Sequence, residues 1–132
     1  MGVGRNYVLD LPMVVTEAIT KHEGVKLGTA EQTIDAADTL GEACLGIAQE
    51  TATAADATNG RVIAVAVLGT AVAEAGAAVA IGVNVYVEAD GQLITVPGAQ
   101  TNANRVGVAL TATSAAGEWF TVLLTPYSQI DT

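Results

Sequence analysis

The chain has 132 residues, 51% of them apolar and 14% charged, a composition that supports one packed domain and excludes a disordered tail. Its 14 acidic and 5 basic residues leave a net charge of −9, which opposes binding to nucleic-acid phosphates and to anionic membrane surfaces. A single cysteine excludes an intrachain disulfide and a four-cysteine zinc site.

Residues 1–12 show no regular period beyond Tyr7, Leu9 and Leu11 on one side, and they read as an extended N-terminal arm. The expected organisation is an arm and lead-in over 1–18 and a single β domain over 19–132. The start carries no continuous apolar run of a secretion signal, and no stretch approaches the ~20 uninterrupted apolar residues of a membrane-spanning helix. A soluble, unsecreted protein is expected. Further along, residues 61–68 are short, rich in β-branched side chains and closed by Gly69, which favours a buried strand. Residues 83–87 alternate and stop at Asp90-Gly91, a hairpin turn, after which 92–96 return and end at Pro97-Gly98. Two more strands are predicted at 105–110 and 118–125. In the last, Phe120, Val122 and Leu124 fall on one face and Trp119, Thr121, Leu123 and Thr125 on the other. The Ala-rich stretches 52–57 and 71–80 lack a clean charged face and are expected to form single helical turns at most.

An internal repeat organises these elements. Residues 19–27 lie over 79–87 at an offset of 60, with apolar residues matched at both ends, and Leu45-Gly46-Ile47-Ala48 lies over Val106-Gly107-Val108-Ala109. Each copy continues into a small-residue loop, 51–55 or 112–116, and then into a closing strand. The expected fold is therefore all-β: a small pseudo-symmetric β-barrel or sandwich built from two similar halves, 19–69 and 79–125, that together close one barrel. Much of the apolar content is Ala and Val, and at ~25 cal/mol per Å² small side chains stabilise weakly. Association is expected to supply what this thin core lacks.

Catalytic groups are scarce. His22 is the only histidine, so neither a multi-histidine metal site nor a Ser-His-Asp set without it is available, and Lys21-His22-Glu23-Gly24 reads as a surface turn. Cys44 has no basic neighbour in sequence and reads as a buried structural thiol. Asp35, Asp38, Glu42, Glu50 and Asp56 do not follow the ligand spacing of an EF-hand loop and read as a solvated acidic loop. Gly46 and Gly107 belong to no phosphate-binding motif and are assigned to backbone geometry. No enzyme, cofactor or metal is expected. Trp119 and Tyr127 are large amphipathic rings near the end of a thin-cored chain, each a core plug or an interface anchor.

Five features in order carry a resemblance: Gly69-Thr70-Ala71, Glu74-Ala75-Gly76-Ala77 leading to Ile81-Gly82, Arg105 to Ala109, Ser114 to Glu118, and Val122-Leu123-Leu124. Together, over roughly residues 19–124, they resemble the capsid cement or head decoration proteins of tailed bacteriophages. The resemblance implies a β-barrel-like domain, without catalytic residues, that joins the outer surface of an assembled shell after synthesis in the bacterial cytoplasm. It implies as partners the major capsid protein and further copies of the chain, as a homotrimer, with no nucleic acid and no membrane. Arm residues Val3, Arg5, Tyr7 and Leu9 are the contacts it points to, joined by Trp119 and Tyr127 from the reading above. A fibre or tail component is an alternative within the virion. A ligand-binding or carrier β module is the alternative outside it, although neither Lys21 nor Lys26 sits at an Asp-Lys hairpin tip.

Overall fold

The computed structural model describes residues 7–95 and 103–125. It is all-β, with a closed five-stranded barrel and further strands bonded outside it. The barrel comprises β1 (Tyr7–Val15), β2 (Gly24–Leu27), β3 (Thr33–Ala36), β4 (Gly46–Ala48) and the first part of β5 (Val62–Glu74). Around the ring the order is β1-β3-β2-β4-β5, and β5 closes it by pairing with β1. All pairings are antiparallel except β1 with β3, where Val14 and Val15 lie parallel to Thr33 and Ile34. Between β4 and β5 stands one helical turn, α1 (Ala54–Thr58), started by a reciprocal Thr53 and Asp56 capping box.

The second half repeats this plan strand by strand with β6 (Asn84–Val87), β7 (Leu93–Ile94), β8 (Gly107–Ala109) and β9 (Trp119–Leu124). The last part of β5 now takes the role of β1: Glu74 pairs with Trp119 and Ala73 with Phe120, as Val14 pairs with Val62 and Met13 with Ile63. A parallel bridge from Ala75 to Leu93 matches the β1–β3 pairing, and the Val79–Thr113 bridge matches Ile19–Ala52. The two halves therefore do not combine into one barrel. Each builds its own ring, and β5 is shared, closing the first and opening the second.

Gly69, expected to end a strand, instead lets β5 pass from one ring to the other. Its φ of 92° is a left-handed conformation that side chains with a Cβ avoid, and the register with β1 shifts where Tyr7 meets Gly69 and Leu9 meets Leu68. Residues 7–12, read from the sequence as arm, are likewise the first strand of the barrel.

Each ring encloses its own apolar cluster, and equivalent positions fill both. Met13, Val15, Ile19, Val25, Leu45, Ala48, Ile63 and Val65 line the first ring, while Ala73, Ala75, Val79, Val85, Val106, Ala109, Phe120 and Val122 line the second. Packing at near-crystalline density requires volumes to balance across facing strands. The Met13–Ile63 pair of the first ring is accordingly replaced by Ala73–Phe120 in the second, a small residue facing the only Phe.

The second cluster also contains Ala37, Ile47 and Ala66, which lie on the outside of the first ring. One end of ring two is thus seated on the outer face of ring one. Backbone hydrogen bonds lock this junction: Gly24 N–H to the Gly91 carbonyl (2.8 Å), Gly41 N–H to Val87 (2.8 Å), Asn104 N–H to Gly41 (2.9 Å) and Glu74 N–H to His22 (2.9 Å).

Candidate interaction surface

The groups with chemical potential are absorbed into structure. Lys21 and His22 form a turn that leads into β2, but His22 is buried at 7% exposure, not on the surface, because ring two closes over it. Its φ is 74°, where the equivalent residue of the second copy is Gly82 at 85°. Its ring lies edge-on against Trp119, with centroids 4.4 Å apart, and Nδ1 finds no hydrogen-bond partner among the described residues. Burial, then the charge of Lys21, hold the imidazole below its usual pKa, against the opposing pull of a hydrogen bond to Val72 and the charge of Glu74. No nucleophile is placed beside it by these contacts.

Next to it, Glu23 faces Glu74 across the junction. Burial, then the charges of Glu74 and Asp90, push the Glu23 carboxyl up to about 7, and it shares a side-chain hydrogen bond with Glu74. Glu74 also accepts from the Gln92 amide at 2.7 Å. The two carboxyls thus face each other at the ring junction, where Glu23 takes up a proton more readily than a free carboxyl does.

The Cys44 thiol is enclosed, donates to the Gly46 carbonyl (3.2 Å), and burial pushes it up to about 12, which removes its nucleophilicity at neutral pH. Two cations organise the acidic residues noted from the sequence. Lys26 pairs with Asp38 (2.6 Å) and Glu42 (3.5 Å), and Arg61 with Asp56 (3.0 Å) and Glu50 (3.1 Å). Asp35 is engaged by the Thr16 hydroxyl. Among the described residues no group of three or more His, Cys, Asp or Glu is arranged to hold a metal, and no helix is long and apolar enough to cross a membrane.

Against this polar background the described residues leave eight large apolar side chains exposed. On β9, Trp119 is 55% and Leu123 45% exposed, while Phe120, Val122 and Leu124, on the opposite face, are buried. Leu123 pairs across to Val108 on β8, and Leu110 and Ile81 extend the exposed apolar surface. On ring one the exposed Leu9 pairs with the exposed Leu68, and Leu27, at the end of β2, is 47% exposed. Soluble monomers seldom leave large apolar side chains grouped in this way without using them.

Of the contact residues expected from the sequence, Leu9 and Trp119 are exposed and lie on different rings. The backbone of Tyr7 pairs with Gly69 in the barrel. Val3, Arg5 and Tyr127 lie outside the described residues. Sequence reasoning passed over Leu27, Ile81, Leu110 and Leu123 as surface residues. The repeat contained the signal: Ile81 and Leu110 stand where the first copy has Lys21 and Gln49, so the second copy is more apolar on its outer face.

Compared with known proteins, the fold is similar to the crystal structure of the head fibre gp8.5 N base of bacteriophage phi29. The TM-score is 0.67 at 12% sequence identity, covering 94% of this chain and 98% of that one. No curated protein matches the sequence. Residues 3–126 match the phage cement protein family, and with the match spanning both rings the chain belongs to that family.

Proposed function

We propose that this protein is a capsid decoration subunit: it binds the major capsid protein on the outer surface of a phage shell as a homotrimer, bridges neighbouring capsomers, and stabilises the mature particle without catalysis. The observation that carries this reading is the family match over both rings. The exposed apolar residues supply contact surface, and the net charge of −9 suits a protein kept apart from packaged DNA. A subunit that binds the assembled shell better than its parts stabilises it by mass action, and repetition of weak contacts around a symmetric particle adds avidity.

Co-sedimentation with undecorated mature capsids tests the reading. Saturable binding that raises the temperature of shell rupture, weakened by Trp119→Ala and by removal of residues 1–6, is the expected result. Absence of binding at saturating protein overturns it. The likeness to a head-fibre base favours a second reading, in which these rings seat a fibre on the shell. Labelling of particles separates the two, since a fibre base is accompanied by a projecting stalk.

A further inference from the structure

The ring junction is asymmetric, and each ring keeps the unused half of it. Within the chain, the outer face of ring one presents Gly24, Ile47 and Ala66 side by side across β2, β4 and β5. Ile47 and Ala66 are fully buried there. They share one apolar cluster with Ala71, Val87 and Leu124, which line an end of ring two, and Gly24 is close enough to Val87 that a Cβ would stand 3.1 Å from its methyl group.

The repeat places both surfaces twice. On ring two, the equivalent face is the row Asn84, Val108 and Leu123, paired in the same register, with Leu123 45% exposed and Val108 half-buried. On ring one, the equivalent end is Leu11, Leu27 and Val67, with Leu27 47% exposed and the other two half-buried. A face and an end that are fully covered when they meet inside the chain are therefore both open at its outer limits.

We propose that these two surfaces meet between copies. The Leu11, Leu27 and Val67 end of one protomer docks on the Asn84, Val108 and Leu123 face of the next, repeating the contact that already joins the two rings. Leu27 on the end and Leu123 on the face leave apolar side chains exposed, beside a polar Asn84 that accepts a hydrogen bond from Arg105 (3.2 Å), and each surface stands at the repeat position of one that is paired within the chain. A head-to-tail contact of this kind uses different surfaces on the two copies, and it closes into a ring when its rotation divides the circle. The inference deepens the self-association in the function proposed above and rests on that part of it. The hairpin between β2 and β3 of one copy then approaches Asn84 of the next as the hairpin holding Gly91 approaches Gly24 within the chain.

Sedimentation velocity in the absence of capsids tests this. Wild type is expected to form a closed oligomer. Leu27→Glu and Leu123→Glu change exposed side chains and are expected to stay folded by circular dichroism, yet each is monomeric alone. Mixed in equal amounts they form a one-to-one dimer and nothing larger, because one intact end meets one intact face and the remaining surfaces are blocked. A monomeric wild type at the highest soluble concentration, single variants that keep the full oligomer, a mixture that stays monomeric, or a mixture that regenerates the full oligomer each overturns the proposal. Capsid binding is read separately: a monomer that still decorates shells sinks only this inference, and an oligomer that ignores shells sinks only the decoration reading.

Discussion

Gly46 and Gly107 hold the same position in the two rings: a Cβ on Gly46 would overlap the carbonyl oxygen of Ala66, and one on Gly107 the carbonyl oxygen of Leu123. In both copies the short inner strand can approach the closing strand this closely only without a side chain. Gly46→Ala and Gly107→Ala are each expected to destabilise by ~3 kcal/mol, the upper range for overpacking, because a backbone atom has no rotamer to yield. Urea unfolding of the two variants checks this, and similar losses at both sites are the signature of the repeat.

The paired volumes of the cores predict non-additivity. Ala73→Met inserts bulk opposite Phe120 and is expected to cost about 1–3 kcal/mol, and Phe120→Ile opens a cavity with a comparable loss. Installing both recreates the Met13–Ile63 pair of ring one, so the double variant should be more stable than the sum of the singles predicts, by at least ~1 kcal/mol. A double-mutant cycle by thermal or urea unfolding measures the coupling.

Much of this was legible in the sequence because spacing carries it. Gly46 and Gly107, with their apolar flanks, revealed the repeat, and alternation put Phe120 and Trp119 on opposite faces of β9 without saying which face is buried, so Trp119 stayed open between core plug and interface anchor. Gly69 misled for a physical reason: a glycine marks either the end of a strand or a place where it bends, and here a positive φ carries one strand through two rings. Reading β5 as ending there leaves the halves to share one barrel. The burial of His22 was hidden for another reason. Lys21 and His22 do form a turn, and only the seating of ring two on ring one covers the histidine.

Stability should vary with pH through Glu23. Its folded pKa, about 7, is above the ordinary carboxyl value of 4.5, so its contribution is fully present below about 4.5 and is lost as pH rises through about 7. Glu23→Gln keeps a hydrogen-bond donor toward Glu74 without that loss. Melting temperatures measured from pH 5 to 8 should fall more for the parent than for the variant, and parallel profiles would contradict the arrangement.

Trp119, the only tryptophan, reports on His22. The His22 pKa is lowered from 6.5, so its stabilising neutral form is retained above 6.5 and lost as pH falls through the folded value. Protonation of the ring beside Trp119 should quench its emission, with a midpoint below 6.5. In His22→Asn, whose side chain tolerates the left-handed backbone, that transition should vanish while the fold persists. Steady-state fluorescence during an acid titration of both proteins provides the readout.

Electron cryomicroscopy of undecorated mature capsids incubated with the purified protein shows whether the chain decorates a shell. Ordered density is expected on the outer surface, into which the two-ring fold fits, with each site contacting more than one capsomer. Bare shells at saturating protein, or density confined to a tail or to the shell interior, would contradict decoration.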